Sequence, residues 1–217
     1  MKLSFFAFLV ALSLILTHRV TAQSPNLPKP QYDAVKDFSL NSNPNGVWSY
    51  GSLDKYGDPL TLYTTAMTNC AGESESIWGE PDCNTPWVLH NDSNQTICFE
   101  SICVPPYVLH MDIGNNGAGP FITVLRWTTP QTGTYLFVAM AEGLDWYAPT
   151  NAAFRIIYNS KKQLAWLAIS SYEVPTIFRH QLTLSAGDTI DFAVDMGSDH
   201  DWHFNSTGVA VKVAQVK

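Results

Sequence analysis

From Lys36 onward, apolar residues recur at every second position in short runs closed by Asn, Asp, Gly or Pro. A period of two bounded by turn formers is the pattern of strands with one face on a core. GVWSYG, PLTLYT, PWVLHN and YVLHMDI come first, and the longer FITVLRWTT, GTYLFVAMAE, AAFRIIYN, QLAWLAIS, IFRHQLTL, DTIDFAVD and TGVAVKVAQV follow. Within the last three, Phe178/Leu182/Leu184, Ile190/Phe192/Val194 and Val209/Val211/Val213 mark the apolar face, and Asp191 and Asp195 lie opposite. Residues 136–140 and 164–169 are apolar on both faces, which predicts central strands or a covered outer face. No segment sustains a helical period over three turns, and no repeat of roughly 20–50 residues is visible. The pattern predicts an all-β fold: a two-sheet antiparallel β-sandwich, jelly-roll-like.

Turn chemistry supports this division. Pro130-Gln131-Thr132-Gly133 and Ser185-Ala186-Gly187-Asp188 each stand between two runs, with a glycine expected at a positive φ. Residues 115–120, NNGAGP, read as a loop expected to be mobile.

The N-terminus places the chain. Residues 3–16 form an unbroken apolar run behind Lys2, followed by Val20 and Ala22 as small residues before a cleavage point. The run is shorter than the roughly 20 residues a membrane helix needs. Residues 1–22 are therefore read as a cleaved signal peptide, residues 23–35 as an extended Pro-rich lead-in, and residues 36–217 as one domain. The mature chain is expected to be secreted and soluble. Losing Lys2 and Arg19 with the leader takes the formal charge from −7 to −9. A surface of that sign disfavours nucleic acid and anionic membranes as partners.

Four cysteines lie close together, and an even number in an exported chain points to disulfides. In TICFESICV, a two-residue loop at Glu100-Ser101 sets Cys98 opposite Cys103, close enough to bond. Cys70 and Cys83 would then staple the Gly/Ser/Glu-rich loop between them. The absence of any CxxC pair argues against zinc.

Four segments carry a resemblance: DFSLNSNPNGVWSYG at residues 37–51, YVLHMDIGNNG at 107–117, VLRWTTPQTGTYLF at 124–137 and LTLSAGDTIDFAVDMGSD at 182–199. Together they resemble a β-sandwich domain of secreted bacterial proteins, some with a PEP-CTERM sorting tail, similar in layout to jelly-roll carbohydrate-binding modules. The resemblance spans residues 36–213 and implies a sandwich fold and extracellular location, but little about function. The four-cysteine region and the lack of a sorting tail depart from that family and lead to the expectation of a free secreted form. GTYLF also resembles a strand of the trimeric C1q/TNF-like jelly rolls, although the remaining segments do not follow that family.

No GxSxG, HExxH, P-loop or GxGxxG motif in a strand–helix setting is present. Asp191 and Asp195, four residues apart on one strand, stand roughly 13 Å apart, too far for a glycosidase pair. Glu142 and Asp145 are the remaining acids at a strand end, and the chain is read as non-enzymatic. Asp199-His200-Asp201-Trp202-His203 is the most conspicuous polar cluster and reads first as a solvated loop. The alternatives are a structural Ca²⁺, with Asp195, Asp199 and Asp201 as the candidate oxygen donors, or a transition metal on its histidines and aspartates. No other resident cofactor is expected. His90, His110 and His180 read as satisfied strand histidines.

Of seven tryptophans, Trp48, Trp127 and Trp166 sit inside strand patterns and read as core. Trp78, Trp87, Trp146 with Tyr147, and Trp202 fall among loop residues and are the candidate ligand-binding aromatics. The expected partner is extracellular carbohydrate, the alternative an adhesive surface for other proteins, and a secreted glycoside hydrolase comes last. Sequons at Asn91, Asn94 and Asn205 would be glycan acceptors in a eukaryotic secretory pathway.

Overall fold

The computed structural model describes residues 29–114 and 122–216. The leader, residues 23–28 of the lead-in and the 115–120 loop lie outside them. Sixteen strands run in chain order: β1 (Tyr32–Asp33), β2 (Trp48–Leu53), β3 (Thr61–Leu62), β4 (Thr65–Thr68), β5 (Glu75–Glu80), β6 (Asn84–Asn91), β7 (Ile97–Phe99), β8 (Ile102–Val104), β9 (Leu109–Asp112), β10 (Ile122–Thr128), β11 (Gly133–Gly143), β12 (Ala152–Tyr158), β13 (Lys162–Ile169), β14 (Thr176–Leu184), β15 (Thr189–Asp195) and β16 (Thr207–Val216). No helix occurs among the described residues.

An eight-stranded sheet, ordered β14-β11-β16-β9-β6-β5-β4 with β1 beside β16, faces a six-stranded sheet ordered β13-β12-β15-β10-β2-β3. All pairings between named strands are antiparallel, as the alternation predicts. The chain is an all-β, jelly-roll-like sandwich.

Alternation builds the core. Trp48 and Tyr50 of β2, Leu125 and Trp127 of β10, Phe154 and Ile156 of β12, and Ile190, Phe192 and Val194 of β15 point inward from one sheet. Tyr135, Phe137, Val209, Val211 and Val213 meet them from the other. Trp127, fully buried, stands at the centre, edge-to-face with Tyr135 (centroids 5.0 Å) and Phe137 (5.2 Å). Such pairs add to what the buried ring area already contributes. The Tyr135 hydroxyl donates to Gln131 O at 2.7 Å and ties the turn before β11 to the core.

Both outer faces are partly covered. Leu53, Ile122, Val124, Ile157 and Ala193 make a small second core under Tyr56 and Leu60, outside the six-stranded sheet. That cover explains why Asp191, expected on a wet face, is fully buried. It meets the cross-strand Arg126 in a two-pronged pair at 2.6 and 2.9 Å. On the other sheet, the β7–β8 hairpin closes over Ile77, Leu89, Val108 and Leu144.

Several sequence readings change. The stretch between Cys70 and Cys83 is not simply a loop, because it holds β5, which carries Trp78 into the core with its indole N–H on Ser39 O at 2.8 Å. Trp166 is 46 % exposed, since β13 is an edge strand and the residue faces outward. His180 is exposed on β14, also an edge. His110 is buried yet unsatisfied, with no hydrogen bond at either ring nitrogen. Gly187 has the expected positive φ of 87°, whereas Gly133 does not; a Cβ there would lie 2.5 Å from Gln215 Nε2. Both predicted disulfides, Cys70–Cys83 and Cys98–Cys103, are present.

Two substitutions test this account. Trp127→Ala opens a large cavity between the sheets and is expected to cost about 3–5 kcal/mol in chemical denaturation. Asp191→Ala leaves the largely buried Arg126 guanidinium with only the Ser160 hydroxyl as partner, with an expected cost of about 3 kcal/mol. A loss under 1 kcal/mol in either would contradict the packing described.

Candidate functional site

Three segments meet outside one end of the eight-stranded sheet. The first is the β7–β8 hairpin, where Phe99 pairs with Ile102 and Cys98 with Cys103 around the two-residue loop Glu100-Ser101. Glu100 takes a positive φ of 52° there, and the disulfide holds the arms together. The second segment, residues 144–147, continues β11. The third, residues 202–206, leads into β16.

Backbone hydrogen bonds lace the three into one surface. Cys103 N–H donates to Leu144 O at 3.0 Å, Trp146 N–H to Ser101 O at 3.1 Å, and Leu144 N–H to Ser206 O at 2.9 Å. Asn205, nearly fully buried, accepts from Asn151 N–H at 3.0 Å and donates to Asp201 O. The loop in between depends on short side-chain turns. Asp199 accepts from Asp201 N–H, and Asp201 from His203 N–H, both at 3.0 Å. The His203 N–H groups, backbone first and ring second, draw the Asp201 carboxyl below its ordinary range.

This lacing brings aromatic side chains from two distant parts of the sequence together. Trp146 meets Tyr147 (centroids 6.4 Å), Tyr147 lies nearly parallel to Phe204 (5.6 Å, 27°), Phe204 adjoins His203 (6.1 Å), and His203 stacks on Trp202 (3.7 Å, 25°). The result is a ribbon of five rings. Its outer members are open, with Trp146 55 %, Tyr147 70 % and Trp202 39 % exposed. Beside it lies a cleft of about 230 Å³ walled by Glu100, Ser101, Asp112, Asp145, Asn205 and Ser206, among others. Asp145 Oδ1 accepts from Tyr147 N–H at 2.9 Å, so the carboxylate is held in place. Asp112 Oδ2 takes the Ser206 hydroxyl at 3.3 Å and lies 3.4 Å from His110 Nε2 below.

Of the sequence candidates, Trp146, Tyr147 and Trp202 are brought together. Trp78 is in the main core, and Trp87 is half-buried on β6, edge-on to His110. Asp195, Asp199 and Asp201 do not converge. Each caps the backbone N–H two residues on, and Asp195 also binds Arg155 at 2.6 Å and the Tyr56 hydroxyl at 2.5 Å. Among the described residues no three His, Cys, Asp or Glu side chains form a metal-holding group. Asn91 and Asn205 are buried, which closes two of the three sequons to a glycan, while Asn94 is exposed.

Phe204, Asn205, Ser206, Glu100 and Asp112 were not read from the sequence as site residues, Asn205 entering only as a sequon and Glu100 only as a hairpin-loop residue. Phe204 and Asn205 follow the conspicuous Asp199–His203 cluster directly, so their neighbourhood carried a signal. Asp112 carried none, because it ends a strand like many others.

Glu142 and Asp145 part company. Asp145 lines the cleft, whereas Glu142 is buried beside Tyr107 and Glu173, with Oε1 unpartnered. Burial raises the Glu142 carboxyl above its ordinary 4.5, and the charge of Glu173 raises it further against the Tyr107 hydroxyl.

No protein-family model matches the chain, and no curated protein does. Among solved structures, a family 35 carbohydrate binding module from Clostridium thermocellum is similar at 15 % identity, covering 49 % of this chain and 85 % of its own, with a TM-score of 0.31. A CBM4 structure matches at 12 % identity over 89 % of this chain and 100 % of its own (TM-score 0.34). Rabbit GITRL matches at 16 % over 43 % and 71 % (TM-score 0.28). Likenesses this distant bring neither a family nor a ligand to this chain.

The Glu142 environment has a measurable consequence. A carboxyl raised in the folded state favours folding while protonated, and this contribution is lost as pH rises through its folded value. Glu142→Gln is therefore expected to melt higher than the parent at pH 8, with the gain gone below about pH 4.5. A gain independent of pH would refute the burial argument.

Proposed function

We propose that this chain is a secreted, non-catalytic domain that binds extracellular carbohydrate through the ribbon from Trp146 to Trp202 and the adjoining cleft. The observation that carries the reading is the joining of three open aromatic rings to a wall of hydrogen-bonding side chains. Sugar rings present apolar C–H faces and a rim of hydroxyl groups. A flat aromatic surface takes the first, and carboxylate, amide and hydroxyl groups take the second. The cleft is braced by a disulfide and by backbone hydrogen bonds, so little ordering is needed when a ligand enters. Two disulfides accord with an oxidising, extracellular setting.

A second reading has its own support. The edge strands β13 and β14 carry Trp166 (46 % exposed) and Ile177 (63 % exposed), with Val174 (58 %) just before β14. Open apolar groups on sheet edges suit contact with other proteins. An adhesive role predicts concentration-dependent association, read by sedimentation, that Trp166→Ser weakens and oligosaccharides leave unchanged.

Carbohydrate binding is tested by titrating intrinsic tryptophan fluorescence with a panel of oligosaccharides. Trp202→Ala and Tyr147→Ala are each expected to weaken the responding ligand by about 10- to 100-fold, for a loss of roughly 1.5–3 kcal/mol per stacked ring, with unchanged melting temperature. Full binding retained in both variants would remove the ribbon from consideration.

A further inference from the structure

The charge around the cleft is one-sided. Glu100, Asp112 and Asp145 line it, and among the described residues no Lys or Arg does. Its histidine, His203, is held on Asp201 at 2.5 Å, so a carboxylate also faces the cation that forms when the ring is protonated. The ring ribbon works in the same direction, because aromatic faces attract cations and have no comparable affinity for anions. Beneath the floor, two buried polar groups lack partners: the His110 ring, with Nε2 turned toward Asp112 at 3.4 Å, and the indole N–H of Trp87, the cross-strand neighbour of Asp112.

We propose that the ligand of this cleft is a saccharide bearing a free amino group, whose ammonium is received by Asp145 and Asp112 while the sugar ring lies on Trp202 and Tyr147. This rests on the carbohydrate reading above and narrows it to a class. A carboxylate fixed by its own backbone turn, as Asp145 is by Tyr147 N–H, meets an ammonium without reorganising. A uronate or sulfated sugar would instead set its charge against three acids, with no Lys or Arg among the described lining residues to offset it.

The test uses the full chain near pH 6, where ordinary carboxyl groups are ionised. Glucosamine oligomers, their N-acetylated counterparts of equal length, neutral glucan oligomers and oligogalacturonate are titrated side by side by calorimetry. The amine-bearing oligomer is expected to bind at least about tenfold tighter than the acetylated one, the worth of one charge-assisted hydrogen bond. Oligogalacturonate is expected to bind weakest. Asp145→Asn, which keeps the acceptor for Tyr147 N–H, is expected to bring the amine-to-acetyl ratio close to one; Asp112→Asn serves as a second variant, with circular dichroism confirming the fold of each. Equal affinity for amine and acetyl forms, or a preference for the uronate, overturns the amino-group assignment and leaves carbohydrate binding standing. Tighter binding of a lysine-rich peptide than of any amino sugar overturns it in favour of a protein partner. No response to any saccharide overturns both readings together.

Discussion

The register between β10 and β15 is pinned from both faces at once, and the rest of the sandwich is organised around it. On the inner face Trp127 pairs with Ile190 and Leu125 with Phe192; one residue away on the outer face Arg126 pairs with Asp191. A slip of one residue would drive a guanidinium into the aromatic core and turn the indole outward. An apolar core alone tolerates exchanges among residues of similar volume. A buried ion pair on the opposite face does not, because an unpaired buried charge is costly. Together they hold the two strands against which β2 and β12 line up.

The same division between a rigid interior and decorated ends accounts for the cleft. None of its walls is a strand face of the main core. Apart from Asp112 at the end of β9, they are a hairpin turn, the run-out of β11 and the run-in of β16, three places where the sheet ladder stops and backbone groups seek other partners. The segments satisfy one another, through Cys103 with Leu144, Trp146 with Ser101 and Leu144 with Ser206. Side chains at such ends are free of the inward/outward alternation, so several aromatic rings can share one surface. The cleft is thus rigid without being part of the folding core.

Covering of the outer faces is the feature that alternation could not announce. Asp191 looks solvated in sequence because it alternates with Ile190 and Phe192, yet Tyr56 and Leu60 fold over its face. Trp166 looks interior because its strand is apolar on both sides, yet the strand lies at an edge. His110 follows apolar neighbours and is buried as they are, but its ring faces the layer under the β7–β8 hairpin, where it makes no hydrogen bond and only the Asp112 carboxylate, 3.4 Å from Nε2, stands near.

The sequence by itself determined the local and periodic features: strands from a period of two, turns from Pro, Gly and Asp, and the Cys98–Cys103 pairing from the length of its hairpin loop. These depend on residues near one another along the chain, so pattern suffices. Three of the ring positions were also legible, as aromatics lying outside strand patterns among polar residues. Only the tertiary structure decided that Trp146 and Tyr147 adjoin Trp202, that Asp112 and Glu100 face the same cleft, and that Trp78 belongs to the core. Those facts depend on which strand ends meet across the sheet, and that is set by global strand order and by covering layers rather than by local sequence.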